Sequence, residues 1–340
     1  MLGSCHAPLA GEYDLTMLDL DGVVYVGPDA VPGAPAHLAA ARAAGTHLAF
    51  ITNNASRTPS TVVEHLSRLG VEAATNDVVT SAQAAAHLLA GRLGAGARVA
   101  LLGGEGLHAA LLDEGLEPVP VADEGAVALV SGYGPDVLWR DVMTAAIRIR
   151  NGLPWVASNS DLTIPTPQGP GPGHGVLVRT LEEFTGTAPV IAGKPFRHLL
   201  DETVRRVGGE RPLMVGDRLD TDIEGATNAG HDSLLVLTGV SGLGDLVQAP
   251  PAQRPTYLAE DLEGLVMSHP AGVEVEGGWR VGGWVGRVDS GRLSLSGDGA
   301  AGDWWRAAAS AAWAWLDRTG EVVDTVGLVT PLPGTTEPAG

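Results

Sequence analysis

Short apolar runs at residues 15–20, 47–52, 190–192 and 213–215 each end in a cluster of reactive polar side chains. Runs of that length, separated by helical patterns, read as strands of a β/α alternation, and such alternation builds a parallel sheet. In an open parallel sheet, ligands bind beyond the carboxyl ends of the strands, where loops leave for the helices. The expectation is therefore one mouth lined by Asp19-Leu20-Asp21-Gly22, Thr52-Asn53-Asn54, Gly193-Lys194-Pro195 and Gly216-Asp217 followed by Asp222.

The intervening helices are well punctuated. One has Thr58 as N-cap, Pro59 at its first position, an apolar stripe of Val62, Val63, Leu66 and Leu69, and Gly70 as stop. Residues 34–44, 196–207 and 221–229 read the same way. A second β/α stretch, with strands expected at 99–102, 126–130 and 155–157, looks like an inserted domain. After residue 263 the character changes. Six of the eight tryptophans fall between Trp279 and Trp315, in two short strand-like pieces and a helical run over 303–316. The expected layout is a core over 1–93 and 190–268, an insertion over 94–189, a small Trp-rich unit over 269–330 and a disordered tail over 331–340.

Taken singly, the polar clusters have ordinary readings. Asp-x-Asp-Gly is commonly a turn, Gly-Lys-Pro a solvated corner, and Thr-Asn-Asn or Gly-Asp a helix cap. Together they place four carboxylates, a hydroxyl and an ammonium in one mouth, and carboxylates that converge repel unless a cation or protons compensate. A hard divalent cation is the simplest remedy and favours Mg²⁺, which takes few protein ligands and completes its shell with phosphate oxygens. Phosphoryl transfer suits such a site. The net charge of −19 disfavours nucleic acid and the anionic membrane surface as partners. A lone Cys5, and no leader or membrane-spanning run, point to a cytoplasmic protein.

The order Asp19-x-Asp21, Thr52, Lys194, Gly216-Asp217 with Asp222 resembles the four motifs of the haloacid dehalogenase superfamily. Asp-Leu-Asp-Gly-Val-Val-Tyr and Ile-Thr-Asn-Asn-Ala-Ser-Arg resemble its class IIA, 4-nitrophenylphosphatase-like branch, over roughly residues 14–240. The resemblance implies an α/β fold: a Rossmann-like parallel-sheet core, an inserted α/β cap of the C2 type, and here a small C-terminal α+β unit. About thirty residues between Asp21 and Thr52 leave no room for a cap there as well. It also implies a phosphoric monoester hydrolase in which Asp19 attacks phosphorus to form an aspartyl phosphate. Asp21 would protonate the leaving oxygen and later deprotonate water. Thr52 and the Asn53 backbone N–H would bind phosphate, and Lys194 would neutralise developing charge. Mg²⁺ would be held by Asp19, the backbone carbonyl of Asp21, Asp217 and, as ligand or support, Asp222.

In the insertion, Asn159, Asp161 and His174 lie in stretches that resemble those by which class IIA members face their substrate. The alternative for each is a Pro/Gly-rich surface loop with local turn bonds. His174, flanked by glycines, is not expected in a core. The family offers glycerol 3-phosphate, 2-phosphoglycolate, pyridoxal phosphate and nucleoside monophosphates as small phosphorylated substrates. The Trp-rich unit resembles extensions on actinobacterial members, some acting on glycerol 3-phosphate, which favours that substrate. It is expected to form a miniature core or docking face and to be dispensable for chemistry. Phosphotransfer in place of hydrolysis and a non-catalytic binding role are the rival readings, and a homodimer is one possible assembly.

Overall fold

The structure is a computed structural model and describes residues 1–166 and 168–331; residues 332–340 of the expected tail lie outside the described residues. The chain divides into two compact units, residues 1–48 with the chain from 209 onward, and residues 49–208.

In the first unit, Leu15–Leu18, Pro212–Gly216, Asp232–Val236 and Tyr257–Ala259 lie side by side in parallel. Their apolar side chains are almost wholly buried, which is why these runs carry no polar alternation. The register sets Leu18 against Val215. Asp19 and Asp217 therefore follow neighbouring strands at nearly the same height.

In the second unit, Val190–Ile191, Trp155–Ala157, Ala128–Ser131, Arg98–Leu102 and Glu117–Val119 form a five-stranded parallel sheet in that order. Helices Glu105–Asp113, Trp139–Arg150 and His174–Thr185 accompany it. The run at 190–192, read above with the core strands, pairs here with Trp155–Ala157. Its two-residue strand is too short to declare a sheet partner from pattern. The helix expected after Thr58 spans Pro59–Arg68, with the Thr58 hydroxyl accepting from Thr61 N–H at 3.4 Å and Gly70 at φ +77°.

The C-terminal region departs from expectation. It has four antiparallel strands, Val273–Val275, Gly278–Val281, Trp284–Asp289 and Arg292–Gly297, where two were expected. Tight Gly turns permit this many reversals: Ser290 and Gly291, at φ 48° and 83°, make a left-handed two-residue hairpin. Of the two expectations for the tryptophans, they form a docking face and not a miniature core. Helix Ala301–Thr319 carries Trp304, Trp305 and Trp313 into one buried cluster with Leu235 and Leu258 of the parallel sheet and Leu246 of the short helix Leu243–Val247. The Trp313 indole N–H donates to the Leu246 carbonyl at 2.7 Å. Arg306, buried, donates to the Leu258 carbonyl at 2.9 Å, to Asp303 at 2.8 Å and toward His269 Nδ1 at 3.2 Å, and His269 Nε2 stands 2.8 Å from the Gly264 carbonyl. No described helix is long and apolar enough to cross a membrane.

Because the tryptophans complete the first unit's own core, ending the chain at about residue 269 should yield unfolded or aggregated protein. Trp313→Ala, which empties a site only 1% exposed, should cost roughly 3–5 kcal/mol in urea unfolding. A truncated protein that unfolds cooperatively at the full-length midpoint would show that the helix is only appended.

Candidate active site

The first unit gathers carboxylates. Oxygens of Asp19, Asp217 and Asp222 lie within 4.8 Å of one another, with Asp217 and Asp222 buried. Asp19 stands one residue past Leu15–Leu18, and its N–H donates to the Val215 carbonyl at 2.9 Å. Asp217 stands one residue past Pro212–Gly216. Asp222 comes from a π-turn over Leu219–Ile223, a wide-bore geometry that is frequent at functional positions. The Asp21 side chain is exposed and outside the trio.

Backbone donors aim the buried pair. Val240 N–H donates to Asp217 Oδ2 at 2.7 Å and Arg218 N–H to Asp222 Oδ2 at 3.1 Å. Glycines make the cradle: a Cβ on Gly22 would stand 2.6 Å from Asp217 Oδ2, and one on Gly239 or Gly216 would run into Asp217 or Asp222. The loop Thr238-Gly239-Val240-Ser241 was not singled out in the sequence, although it follows an apolar strand as the other site loops do. Besides its contact to Asp217 it donates from the Thr238 hydroxyl to the Gly22 carbonyl at 2.5 Å and accepts from Leu219 N–H on the Ser241 hydroxyl at 3.1 Å.

Three hard oxygen donors converging in a cradle with no room for a methyl group fit a divalent cation such as Mg²⁺. A second trio, His87, Glu114 and Glu202, is as tightly drawn but does not fit one. Arg205 and Arg206 already pair with both of its carboxylates, at 2.7 to 3.3 Å where Arg205 meets Glu202 and each meets Glu114, so its charge is satisfied by the protein.

The second unit gathers a different set. Thr52, Asn53, Asn159 and Lys194 are buried, and Asp161 is partly so. Thr52 closes its strand with its hydroxyl accepting from Asn54 N–H at 3.0 Å. Asn159 lies just past Trp155–Ala157, and Lys194 just past the neighbouring Val190–Ile191. Asn53 joins them: its Oδ1 accepts from Lys194 N–H at 2.9 Å, and its Nδ2 donates to Asp161 Oδ1 at 3.0 Å. The Asn53 carbonyl accepts from Asn159 Nδ2 at 2.6 Å and from the Ser81 hydroxyl at 2.5 Å. Ser81 was another residue the sequence did not flag, since nothing but the fold brings it to residue 53.

His174 is corrected. It is 4% exposed, with Nε2 3.1 Å from the Ser131 hydroxyl, which also accepts from Trp155 Nε1 at 2.9 Å. The flanking glycines serve close packing rather than a surface turn, because a Cβ on Gly173 or Gly175 would run into the backbone of Asp161 or Ser160. Burial pushes the imidazole pKa down to about 4, partly opposed by hydrogen bonding to Ser131. Its place at the start of helix His174–Thr185 disfavours the cation further.

Family models for "Haloacid dehalogenase-like hydrolase" and "HAD-hydrolase-like" match residues 16–117 and 191–265. The chain is 45% identical over 274 residues to D-glycerol 3-phosphate phosphatase of Mycobacterium tuberculosis, covering 80% of this chain and 77% of that protein. It belongs to the haloacid dehalogenase-like hydrolase family. Within the family it is also 34% identical over 253 residues to acid sugar phosphatase of Staphylococcus aureus, covering 74% of this chain and 96% of that one. The crystal structure of glycerol phosphate phosphatase from M. tuberculosis in complex with magnesium superposes with TM-score 0.83 at 42% identity, over 91% of this chain and 92% of that one. A 4-nitrophenylphosphatase from Thermotoga maritima gives TM-score 0.70 at 30% identity, over 76% and 98%.

A histidine whose folded pKa lies below its ordinary 6.5 adds stability that is complete above pH 6.5 and is lost as pH falls through about 4, because the unfolded chain takes the proton first. That window corresponds to roughly 3 kcal/mol for His174. His174→Gln, neutral throughout, should flatten the fall in urea-unfolding stability between pH 6.5 and 4, and an unchanged slope would assign the acid lability to other groups.

Proposed function

We propose that this haloacid dehalogenase-like hydrolase is a magnesium-dependent phosphatase that hydrolyses glycerol 3-phosphate through an aspartyl phosphate on Asp19. The observation that carries the chemistry is the convergence of Asp19, Asp217 and Asp222 in a glycine cradle. The substrate rests on the 45% identity to D-glycerol 3-phosphate phosphatase.

The Asp19 carboxylate attacks phosphorus, the bond to the substrate oxygen breaks, and Asp21 gives its proton to the leaving alkoxide. Asp21 then removes a proton from water, which attacks phosphorus, releases inorganic phosphate and restores Asp19. The Thr52 hydroxyl and Asn53 backbone N–H bind phosphate oxygens, and Lys194 offsets the charge that builds on them. Asp19, Asp217 and the Asp21 carbonyl would hold Mg²⁺, with Asp222 as ligand or support, and the ion when bound would supply positive charge that offsets the repulsion between the phosphate and the Asp19 carboxylate. Asn159 and Asp161 act on the organic moiety, while His174 supports them from within the unit. A cytoplasmic setting accords with the single Cys5, which has no disulfide partner in the sequence.

Phosphate release from glycerol 3-phosphate should vanish in Asp19→Asn without loss of the folded state, stop in excess chelator and return with Mg²⁺. Asp217→Asn should raise the Mg²⁺ concentration needed for half-maximal rate. Turnover by Asp19→Asn at a wild-type rate would remove the mechanism. A kcat/KM for glycerol 3-phosphate below that of other small phosphate esters would remove the substrate and leave the chemistry standing.

A further inference from the structure

The Asn53 side chain makes more contacts than phosphate binding asks of it. Its Oδ1 accepts from Lys194 N–H at 2.9 Å while its Nδ2 donates to the Lys194 carbonyl at 3.1 Å, so one carboxamide grips both backbone groups of the same residue. The second Nδ2 proton goes to Asp161 Oδ1 at 3.0 Å. Gly193 permits the approach, since a Cβ there would stand 2.6 Å from Asn53 Oδ1. The loop is tied back in turn: Asp161 N–H donates to Asn159 Oδ1 at 3.2 Å, and the Asp161 carbonyl accepts from Gly175 N–H at 2.8 Å beside the buried His174.

The carboxamide is planar, and at this buried position its donors and its acceptor all have partners, so it cannot turn to follow Asp161 without loosening its hold on Lys194. Only a primary amide offers two donors and an acceptor at this reach. A carboxylate would lose both donated bonds and face Asp161 as a like charge.

We infer that Asn53 is a positioning residue whose carboxamide couples the loop at 159–161 to Lys194, so that engagement of the substrate's organic moiety sets the placement of the charge-neutralising lysine. This rests on the phosphatase reading above and adds the means by which recognition reaches the chemistry.

The test compares wild type, N53A, N53D, D161N and the exchanged pair N53D/D161N on glycerol 3-phosphate and 4-nitrophenyl phosphate, with unfolding midpoints alongside. N53A should lower kcat on both substrates by roughly tenfold, because Lys194 loses both backbone anchors. N53D should lower kcat/KM for glycerol 3-phosphate by roughly ten- to a hundredfold and for the nitrophenyl ester much less. The exchanged pair restores an amide-to-carboxylate bond with its direction reversed, though not the bond to the Lys194 carbonyl, and should recover part of the N53D loss on glycerol 3-phosphate. An exchanged pair no better than N53D, or N53A with wild-type kcat on both substrates, overturns the coupling. Should N53D not fold, N53A carries the test, and an undiminished kcat on both substrates would count against the inference. Wild type active on 4-nitrophenyl phosphate but not on glycerol 3-phosphate sinks the substrate assignment alone, since the N53A arm still judges the anchoring of Lys194.

Discussion

Mutual repulsion among Asp19, Asp217 and Asp222 is the constraint around which the first unit is built. Two of the three are buried, where charge is costly, and all three lie within 4.8 Å of one another. Backbone N–H groups of Arg218 and Val240 offset part of the cost, and glycines at 22, 216 and 239 let other backbone come close enough to do it. The strands that meet this region are mainly apolar, and their reactive side chains stand just past their ends. The sheet thus supplies rigidity while the loops supply charge.

The second unit meets the complementary demand. Lys194 is buried there, and its backbone is fixed by an amide. A buried lysine placed by packing alone would sample rotamers; here the main chain beneath it is pinned at both polar groups, which restricts where the side chain can begin.

Strand ends were the legible part of the sequence. Runs at 47–52 and 155–157 match the strands residue for residue, and the Asp19, Asp217 and Asp222 cluster follows the strands found where the runs at 15–20 and 213–215 were read. Legibility failed where identity and environment part company. His174 between two glycines looked like a surface turn, and only the proximity of Asp161 and Ser160 backbone shows that the glycines are there for contact. The Thr238–Ser241 stretch carries no side chain with metal or acid–base chemistry of its own, so its service to Asp217 is invisible without coordinates. The tryptophans announced a core but not whose: sequence pattern reports that a face is apolar, never what covers it, and here the cover is a helix from the far end of the chain.

That distance has a consequence for how the protein is made. Leu15–Leu18 pairs with Pro212–Gly216, and the cluster around Leu235 and Leu258 is sealed by Trp304 to Trp313. At a ribosomal pace of about 5–20 residues per second, that pairing waits roughly 10–40 s after the first strand is made, and the seal waits longer. Residues 49–208 are complete about a hundred residues before the sealing helix is made and can fold while the rest is still emerging. The edge of segment 15–18 that pairs with Pro212–Gly216 meanwhile stays open to wrong pairings, so this chain is expected to depend on chaperones early in synthesis rather than after release.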